Sequence, residues 1–384
     1  MNYIIGIDAS RCRSGGAIAH LIGIISNLNT TELGIKNVHI WSYSKSLNQM
    51  PDRDWLIKHS PKELNSNLLI QIFWQFFKLS KELKAANCDI LFTADAATVC
   101  NFQPQVVLSQ DLLSYEPGIL KLYKFGFYKI RLYLIYFLQN IAFKRASGVI
   151  FLTEYSKIVI QKHIGSLPDS IVIPHGVSEE FKNFKFSRLL NSSSKKINCV
   201  YISNALLYKY QWNVVKAIEL IRSDEGFDIN LSLVGGFNPE AKTLIENQLR
   251  KSDPLNEFVS IYPFLSSTEI LSIISNSDIF VFASSCEAFG ITLLEGMSTG
   301  IPIACSNRSC LPELLENGGV YFDPENPRDI ANAIIRLIKS DELKCSVSSN
   351  ALINASKFSW ERCSLETFHY LIKNINKNKL HATQ

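Results

Sequence analysis

The sequence predicts an α/β protein built from two Rossmann-like, doubly wound domains facing a central cleft, and three observations carry that prediction. Short apolar runs rich in β-formers alternate with amphipathic stretches, the pattern of βαβ units around a parallel sheet. The alternation pauses at Leu190-Asn191-Ser192-Ser193-Ser194-Lys195-Lys196, a polar run composed like a linker, and then restarts. At 384 residues the chain is also too long for one typical core.

In chain order, Tyr3–Ile7, Val38–Tyr43, Ile90–Thr93, Val106–Ser109 and Val149–Leu152 read as strands of a first domain over residues 1–190. Cys199–Ser203, Asn230–Val234, Val259–Tyr262, Ile279–Phe282 and Pro302–Cys305 read as strands of a second domain over residues 197–355. Ser359-Trp360-Glu361 opens a final helix within residues 356–384.

Composition narrows the class. Hydrophobic residues make up 47% and charged residues 19%, as in a folded globular chain. The nine cysteines are scattered and never spaced as C-x2-C, and Met1 leads directly into a strand. Reduced thiols and a cytoplasmic location are therefore expected. No run of 18 apolar residues occurs, so no membrane span is expected. The net charge of +4 divides unevenly. Residues 1–190 hold 21 Lys+Arg against 14 Asp+Glu, and the remainder 18 against 21. A basic first half suits an anionic surface or substrate, and equally a solvated basic face.

The segment with most chemistry is Ser284-Ser285-Cys286-Glu287-Ala288-Phe289-Gly290-Ile291-Thr292-Leu293-Leu294-Glu295-Gly296-Met297. It follows the apolar run Ile279–Phe282, so Glu287 lies on a loop at a strand's carboxyl end, where open α/β sheets bind ligands. Glu295 falls about one turn into the helix that begins near Gly290. Free N–H groups and the positive dipole end there suit a phosphate, and glycine permits close approach of a ligand. One carboxylate can face a sugar and the other a ribose, with a diphosphate between them.

This stretch resembles the E-x7-E signature of retaining glycosyltransferases of the GT-B fold, in the large family 4 that builds bacterial polysaccharides. The resemblance continues through Gly300-Ile301-Pro302-Ile303-Ala304 and Leu311-Pro312-Glu313-Leu314. In chain order it also takes in Ser14-Gly15-Gly16, Ile173-Pro174-His175-Gly176-Val177, Lys209 and Val234-Gly235-Gly236, covering nearly the whole chain. It implies that Glu295 holds the ribose hydroxyls and Glu287 the donor sugar's hydroxyls, without Glu287 acting as a nucleophile. The N–H groups of Phe289, Gly290 and Ile291 would meet sugar or diphosphate. Lys209 would grip the diphosphate and stabilise the leaving group. Asn204 stands where the family commonly has a second cation, an arginine, so the charge there is missing. Gly15 and Gly16 would present backbone N–H groups to the donor phosphate. Asp111, in Gln110-Asp111 where many members have a histidine, would orient an acceptor hydroxyl or act as base, or simply cap the next turn. His175 lines the cleft or serves as a core histidine. The final helix crosses back onto the first domain in this family.

Two segments need separate readings. Gly118–Arg145 interleaves tyrosine and phenylalanine with Lys121, Lys124, Lys129, Arg131, Lys144 and Arg145. It suits either contact with an anionic membrane surface or a buried helix pair with a basic outer face, the second being the expectation. Asp52-Arg53-Asp54 spells D-x-D but follows no clear strand and reads as a polar loop. No metal or cofactor is expected, nor nucleic acid, since no phosphate-loop, G-x-G-x-x-G or Cys/His cluster is present. The expected activity is retaining, metal-independent transfer of a hexose from a UDP- or GDP-sugar. The acceptor would be a glycan or a polyprenyl-diphosphate-linked glycan, in synthesis of cell-surface polysaccharide such as lipopolysaccharide O-antigen at the inner membrane face. A sugar-nucleotide epimerase of the same fold and a non-catalytic nucleotide-sugar-binding protein are the alternatives.

Overall fold

The computed structural model describes residues 2–13, 15–167, 169–184, 186 and 196–382. Ser14 and residues 190–195 of the polar run lie outside the described residues. The chain divides into two compact units. The first comprises Met1–Glu116, Lys124–Gly176 and Ser359–Gln384, and the second Pro117–Tyr123 and Val177–Phe358.

The first unit is built on β1 (Tyr3–Asp8), β2 (Ile35–Trp41), β3 (Leu56–His59), β4 (Ile90–Thr93), β5 (Gln105–Ser109), β6 (Gly148–Phe151) and β7 (Ser170–Val172). These form one parallel sheet in the order β3-β2-β1-β4-β5-β6-β7. The second unit has β8 (Lys196–Ile202), β9 (Asp228–Val234), β10 (Val259–Tyr262), β11 (Ile279–Phe282), β12 (Ile303–Ser306) and β13 (Val320–Phe322). Its sheet is also parallel, in the order β10-β9-β8-β11-β12-β13. Chain order reverses between β1 and β4 in one sheet and between β8 and β11 in the other. Those are the switch points at which such sheets take ligands. The central strands β4, β5, β11 and β12 are buried throughout, as continuous apolar runs demand when helices cover both faces.

The structure corrects the sequence reading in four places. β3, β7 and β13 were not expected as strands. Each is an edge strand of three or four residues, covered less completely than the central strands, so its sequence carries little apolar signal. The division between units falls after Gly176 and not near residue 190. Phe181, only 1% exposed, anchors the short helix Glu179–Lys182 onto the helix Ile291–Thr299, and burial outweighs the polar composition that follows. Pro117–Tyr123 also belongs to the second unit, where the helix Ile119–Leu122 packs beside the turn Leu207–Lys209. Finally, the aromatic segment is not a buried helix pair. Phe127–Arg145 is one helix that buries Leu132, Gln139, Ala142 and Phe143 and turns an apolar row outward.

In the first unit Trp41 and Trp74 both donate indole N–H bonds to Glu82, at 2.7 and 2.9 Å. One carboxylate thereby satisfies two buried indoles. The last helix, Trp360–Ala382, lies in this unit against the helix Gly16–Ser26. A Cβ on Gly23 would come within 2.3 Å of the Trp360 ring, so glycine is required there. No helix among the described residues is long and apolar enough to cross a membrane.

Candidate functional site

The site is assembled on the second unit where β8 and β11 end. After β11 the chain runs through a loop to Gly290, which caps the helix Ile291–Thr299 at φ 97° and ψ 55°. Such a left-handed conformation strains any residue with a Cβ. The N–H groups of Ile291, Thr292 and Leu293 have no acceptor among the described residues, so the helix offers its positive end. Phe289 is buried, and Ile291 is half-buried.

The loop is latched from outside. Glu287 N–H donates to Ser309 Oγ at 3.1 Å, and Ser309 Oγ donates back to the Glu287 carbonyl at 3.0 Å. The Cys310 thiol donates to the carbonyls of Glu287 and Phe289 at 3.2 and 3.3 Å. Ser285 N–H reaches the Tyr208 carbonyl at 2.8 Å, joining this loop to the one after β8.

That second loop carries Lys209 at the end of the turn Leu207–Lys209. The hydroxyl of fully buried Tyr201 donates to the Lys209 carbonyl at 2.7 Å, and Tyr210 follows at φ 46°. The Lys209 ammonium forms an ion pair with Glu287, the two side chains being 11% and 17% exposed. It also lies 5.3 Å from the ring centre of Phe282 and 5.4 Å from that of Tyr208. A cation between aromatic faces with one carboxylate partner is held in place by both contacts. Lys209 and Glu287, 78 residues apart in sequence, are thus brought together.

Glu295 is partly exposed on the helix Ile291–Thr299, and no hydrogen bond or ion pair to its carboxylate exists among the described residues. Burial, with a smaller contribution from the negative charge of Glu180, raises its pKa from 4.5 to about 8. A carboxyl in that state gains from any ligand that brings hydroxyl donors to it. Asn204 is exposed and accepts the Gly236 N–H on Oδ1 at 2.9 Å. It therefore clamps the Gly235-Gly236 turn while its amide Nδ2 has no partner among the described residues. Gly235 sits at φ 137°, and a Cβ there would lie 2.5 Å from the Ser203 carbonyl oxygen.

Other residues singled out in the sequence lie in the first unit. Gly15, at φ 64°, precedes the helix Gly16–Ser26, and both glycines are exposed. Asp111 is exposed after β5, and its Oδ1 accepts the Leu113 N–H at 2.9 Å, so it does cap the next turn. His175 is a core residue. Its Nδ1 lies 3.1 Å from His20 Nδ1, and Trp360 packs against both rings. Burial keeps both imidazoles neutral, lowering the pKa of His20 to about 3. With Cys363 they form a buried trio whose nitrogen and sulfur atoms lie within 4.8 Å of one another.

Sequence reading missed Ser309 and Cys310, the aromatic faces of Tyr208 and Phe282 around Lys209, and Glu180 beside Glu295. Ser309 is 22 residues beyond its partner, and Glu180 is 115 residues before Glu295. No local pattern in the sequence links them.

Residues 182–352 match the family described as glycosyl transferases group 1. The chain is 36% identical over 90 residues to the O-antigen chain mannosyltransferase B of Escherichia coli, covering 23% of this chain and 24% of that protein. It is 23% identical over 360 residues to the N,N'-diacetylbacillosaminyl-diphospho-undecaprenol alpha-1,3-N-acetylgalactosaminyltransferase of Campylobacter jejuni, covering 87% and 90%. Matches to several curated relatives span about a quarter to two-fifths of their length. Among solved structures, sucrose-phosphate synthase from Thermosynechococcus elongatus aligns over 100% of both chains with a TM-score of 0.77 at 16% identity. HepE from Anabaena, in complex with UDP and glucose, aligns over 97% and 99% with a TM-score of 0.73 at 18% identity. Residues 182–352 therefore carry the sequence of the glycosyl transferases group 1 family, within a chain of α/β GT-B fold.

Proposed function

We propose that this chain is a retaining, metal-independent glycosyltransferase of family 4. It moves a hexose from a UDP- or GDP-sugar to a glycan or polyprenyl-diphosphate-linked acceptor in cell-surface polysaccharide synthesis. The observation that carries the reading is the buried Lys209–Glu287 pair on the same loop system as an unsatisfied helix N-terminus, with the partnerless Glu295 one turn further on. A cation, three free N–H groups and two carboxylates match, in kind, a diphosphate between two hydroxyl-bearing rings.

In this mechanism the donor diphosphate takes the N–H groups beside Gly290 and the Lys209 ammonium, and Glu295 accepts the ribose hydroxyls. Glu287 exchanges part of its pairing with Lys209 for the sugar hydroxyls. The bond between the anomeric carbon and the β-phosphate oxygen breaks as the acceptor oxygen bonds to the same carbon and face. The acceptor proton passes to the departing phosphate. Lys209 stabilises the charge that grows there, with the Asn204 amide donating a neutral hydrogen bond in place of a second cation. The acceptor class is supported by the O-antigen mannosyltransferase and undecaprenol-linked transferase among the relatives, and the donor class by the UDP complexes of Anabaena HepE. Such an acceptor brings the chain to the cytoplasmic membrane face.

A thermal-shift screen against UDP-, GDP- and dTDP-sugars tests the reading, because bound donor stabilises the native state by mass action. One nucleotide-sugar class is expected to raise the melting temperature, and an acceptor-dependent glycoside product is expected to follow. Stabilisation with no product across acceptors would favour a non-catalytic binding protein, a reading to which the uncharged Asn204 lends support.

A further inference from the structure

We propose that the helices Leu68–Phe77 and Phe127–Arg145 dock the first unit onto an anionic lipid bilayer through their outward apolar faces. The inference deepens the lipid-linked acceptor reading by naming the surface that would bring the chain to a membrane.

Phe127, Ile130, Leu134, Phe137 and Ile141 are exposed by 86, 47, 60, 63 and 44%. Their spacing of three and four residues draws one straight stripe along the helix. The residues this helix buries, Leu132, Gln139, Ala142 and Phe143, fall on the opposite side. Packing within the unit therefore accounts for one face and leaves the other, equally apolar, facing outward. Solubility alone would place polar side chains there.

The second helix repeats the pattern. Leu69, Phe73 and Phe76 are exposed by 77, 55 and 44%, while Trp74 and Gln75 point inward. It lies in the connection from β3 to β4, and Phe127–Arg145 in that from β5 to β6. Both connections cross the sheet in the same direction, so right-handed crossovers put both helices on the same face. One face of the first unit thus presents two apolar ridges.

Charge selects the occupant. From Gly118 to Arg145 the sequence contains no Asp or Glu. On the helix, Lys129 and Arg131 fall on either side of the apolar stripe, and Lys144 lies near its end. Apolar residues flanked by cations suit a helix lying in the interface of an anionic membrane, with aromatic and aliphatic groups among the acyl chains and ammonium groups at the phosphates. Pairing with a second copy would oppose Lys and Arg to Lys and Arg, which disfavours a self-associated coil.

The test is flotation of the full chain with vesicles of phosphatidylglycerol in phosphatidylcholine, against phosphatidylcholine alone, with no donor or acceptor present. Failure of the transferase reading therefore leaves this result standing, and the reverse holds too. Wild type is expected to float with the anionic vesicles and to be largely released by about 0.5 M salt. Leu134→Ser with Phe137→Ser is expected to weaken partition at least about tenfold, since each apolar side chain withdrawn from the interface removes a factor of that order. Lys129→Glu with Lys144→Glu is expected to abolish the preference for anionic lipid. Leu134, Phe137 and Lys144 are exposed and Lys129 is half-buried, so melting of each variant should stay close to wild type. The proposal fails if wild type ignores anionic vesicles, or if both folded variants float like wild type. It also fails if sedimentation shows a dimer that the Leu134→Ser, Phe137→Ser variant dissolves.

Discussion

Lys209 and Glu287 hold each other, and each is the other's main compensation for being withdrawn from water. Lys209→Ala should therefore act twice. Leaving Glu287 unpaired costs on the order of 1–3 kcal/mol of stability, read by denaturant unfolding. Losing the only cation assigned to the leaving phosphate lowers kcat about 100- to 1,000-fold, read by steady-state assay with donor and acceptor. Unchanged turnover would remove Lys209 from the mechanism. Glu295 yields a prediction whose sign follows from its raised pKa of about 8. The native carboxyl keeps a proton that the unfolded chain gives up above its ordinary value near 4.5. Between those values the unfolded state binds fewer protons, so stability falls as pH rises and levels off above about 8. Glu295→Gln cannot ionise. The variant should match wild type near pH 4.5 and exceed it progressively toward pH 8, by on the order of 1–3 kcal/mol. Parallel melting curves at both pH values would contradict the burial of this carboxyl. Both glutamates and Lys209 could be named from sequence because the E-x7-E spacing about Gly290, and a lysine after the second unit's first strand, stand where the resemblance to family 4 glycosyltransferases implies them. Glu180, Ser309 and the aromatic faces about Lys209 could not, because they reach the site only through the tertiary fold.

At the scale of elements, the loop before the helix Ile291–Thr299 depends on one backbone conformation. Gly290→Ala puts a Cβ at φ 97° and 3.4 Å from a Leu311 methyl, costing about 1–2 kcal/mol. The strain falls on the helix cap assigned to the diphosphate, so nucleotide affinity should drop further than stability does. Calorimetric titration of the folded variant with a nucleoside diphosphate checks this, and undiminished affinity would separate the cap from the ligand. The central strands could be read in sequence because parallel strands covered on both faces are continuous apolar runs. β3, β7 and β13 could not, since an edge strand such as Leu56-Ile57-Lys58-His59 satisfies only one neighbour and tolerates polar residues. The outward stripe of Phe127–Arg145 was hidden for a different reason. That helix is apolar on two opposite sides, and composition does not say which side is covered.

At the scale of the whole chain, the sequence places the end of the first domain in a polar run, whereas contacts divide the units at Gly176 and again at Phe358. Burial of single residues such as Phe181 decides where a segment belongs, and composition records burial only on average. The last helix belongs to the first unit through Trp360, whose ring fills the space left by Gly23 and whose backbone nitrogen would lie 2.1 Å from a Cβ on Gly176. Removing residues 359–384 should uncover Ile24, Ile25 and the His20–His175 pair, and the truncated chain should unfold at markedly lower temperature or aggregate. Solubility and melting equal to wild type would show that the helix is an appendage. The central claim is that a nucleoside diphosphate lies between Lys209 and the start of the helix Ile291–Thr299. The most direct measurement is a crystal structure of the chain with UDP or GDP bound. Phosphate oxygens are expected at about 3 Å from the Lys209 ammonium and from the first N–H groups of that helix, with ribose hydroxyls on Glu295. Nucleotide bound elsewhere, with the Lys209–Glu287 pair intact and Glu295 still without a partner, would contradict it.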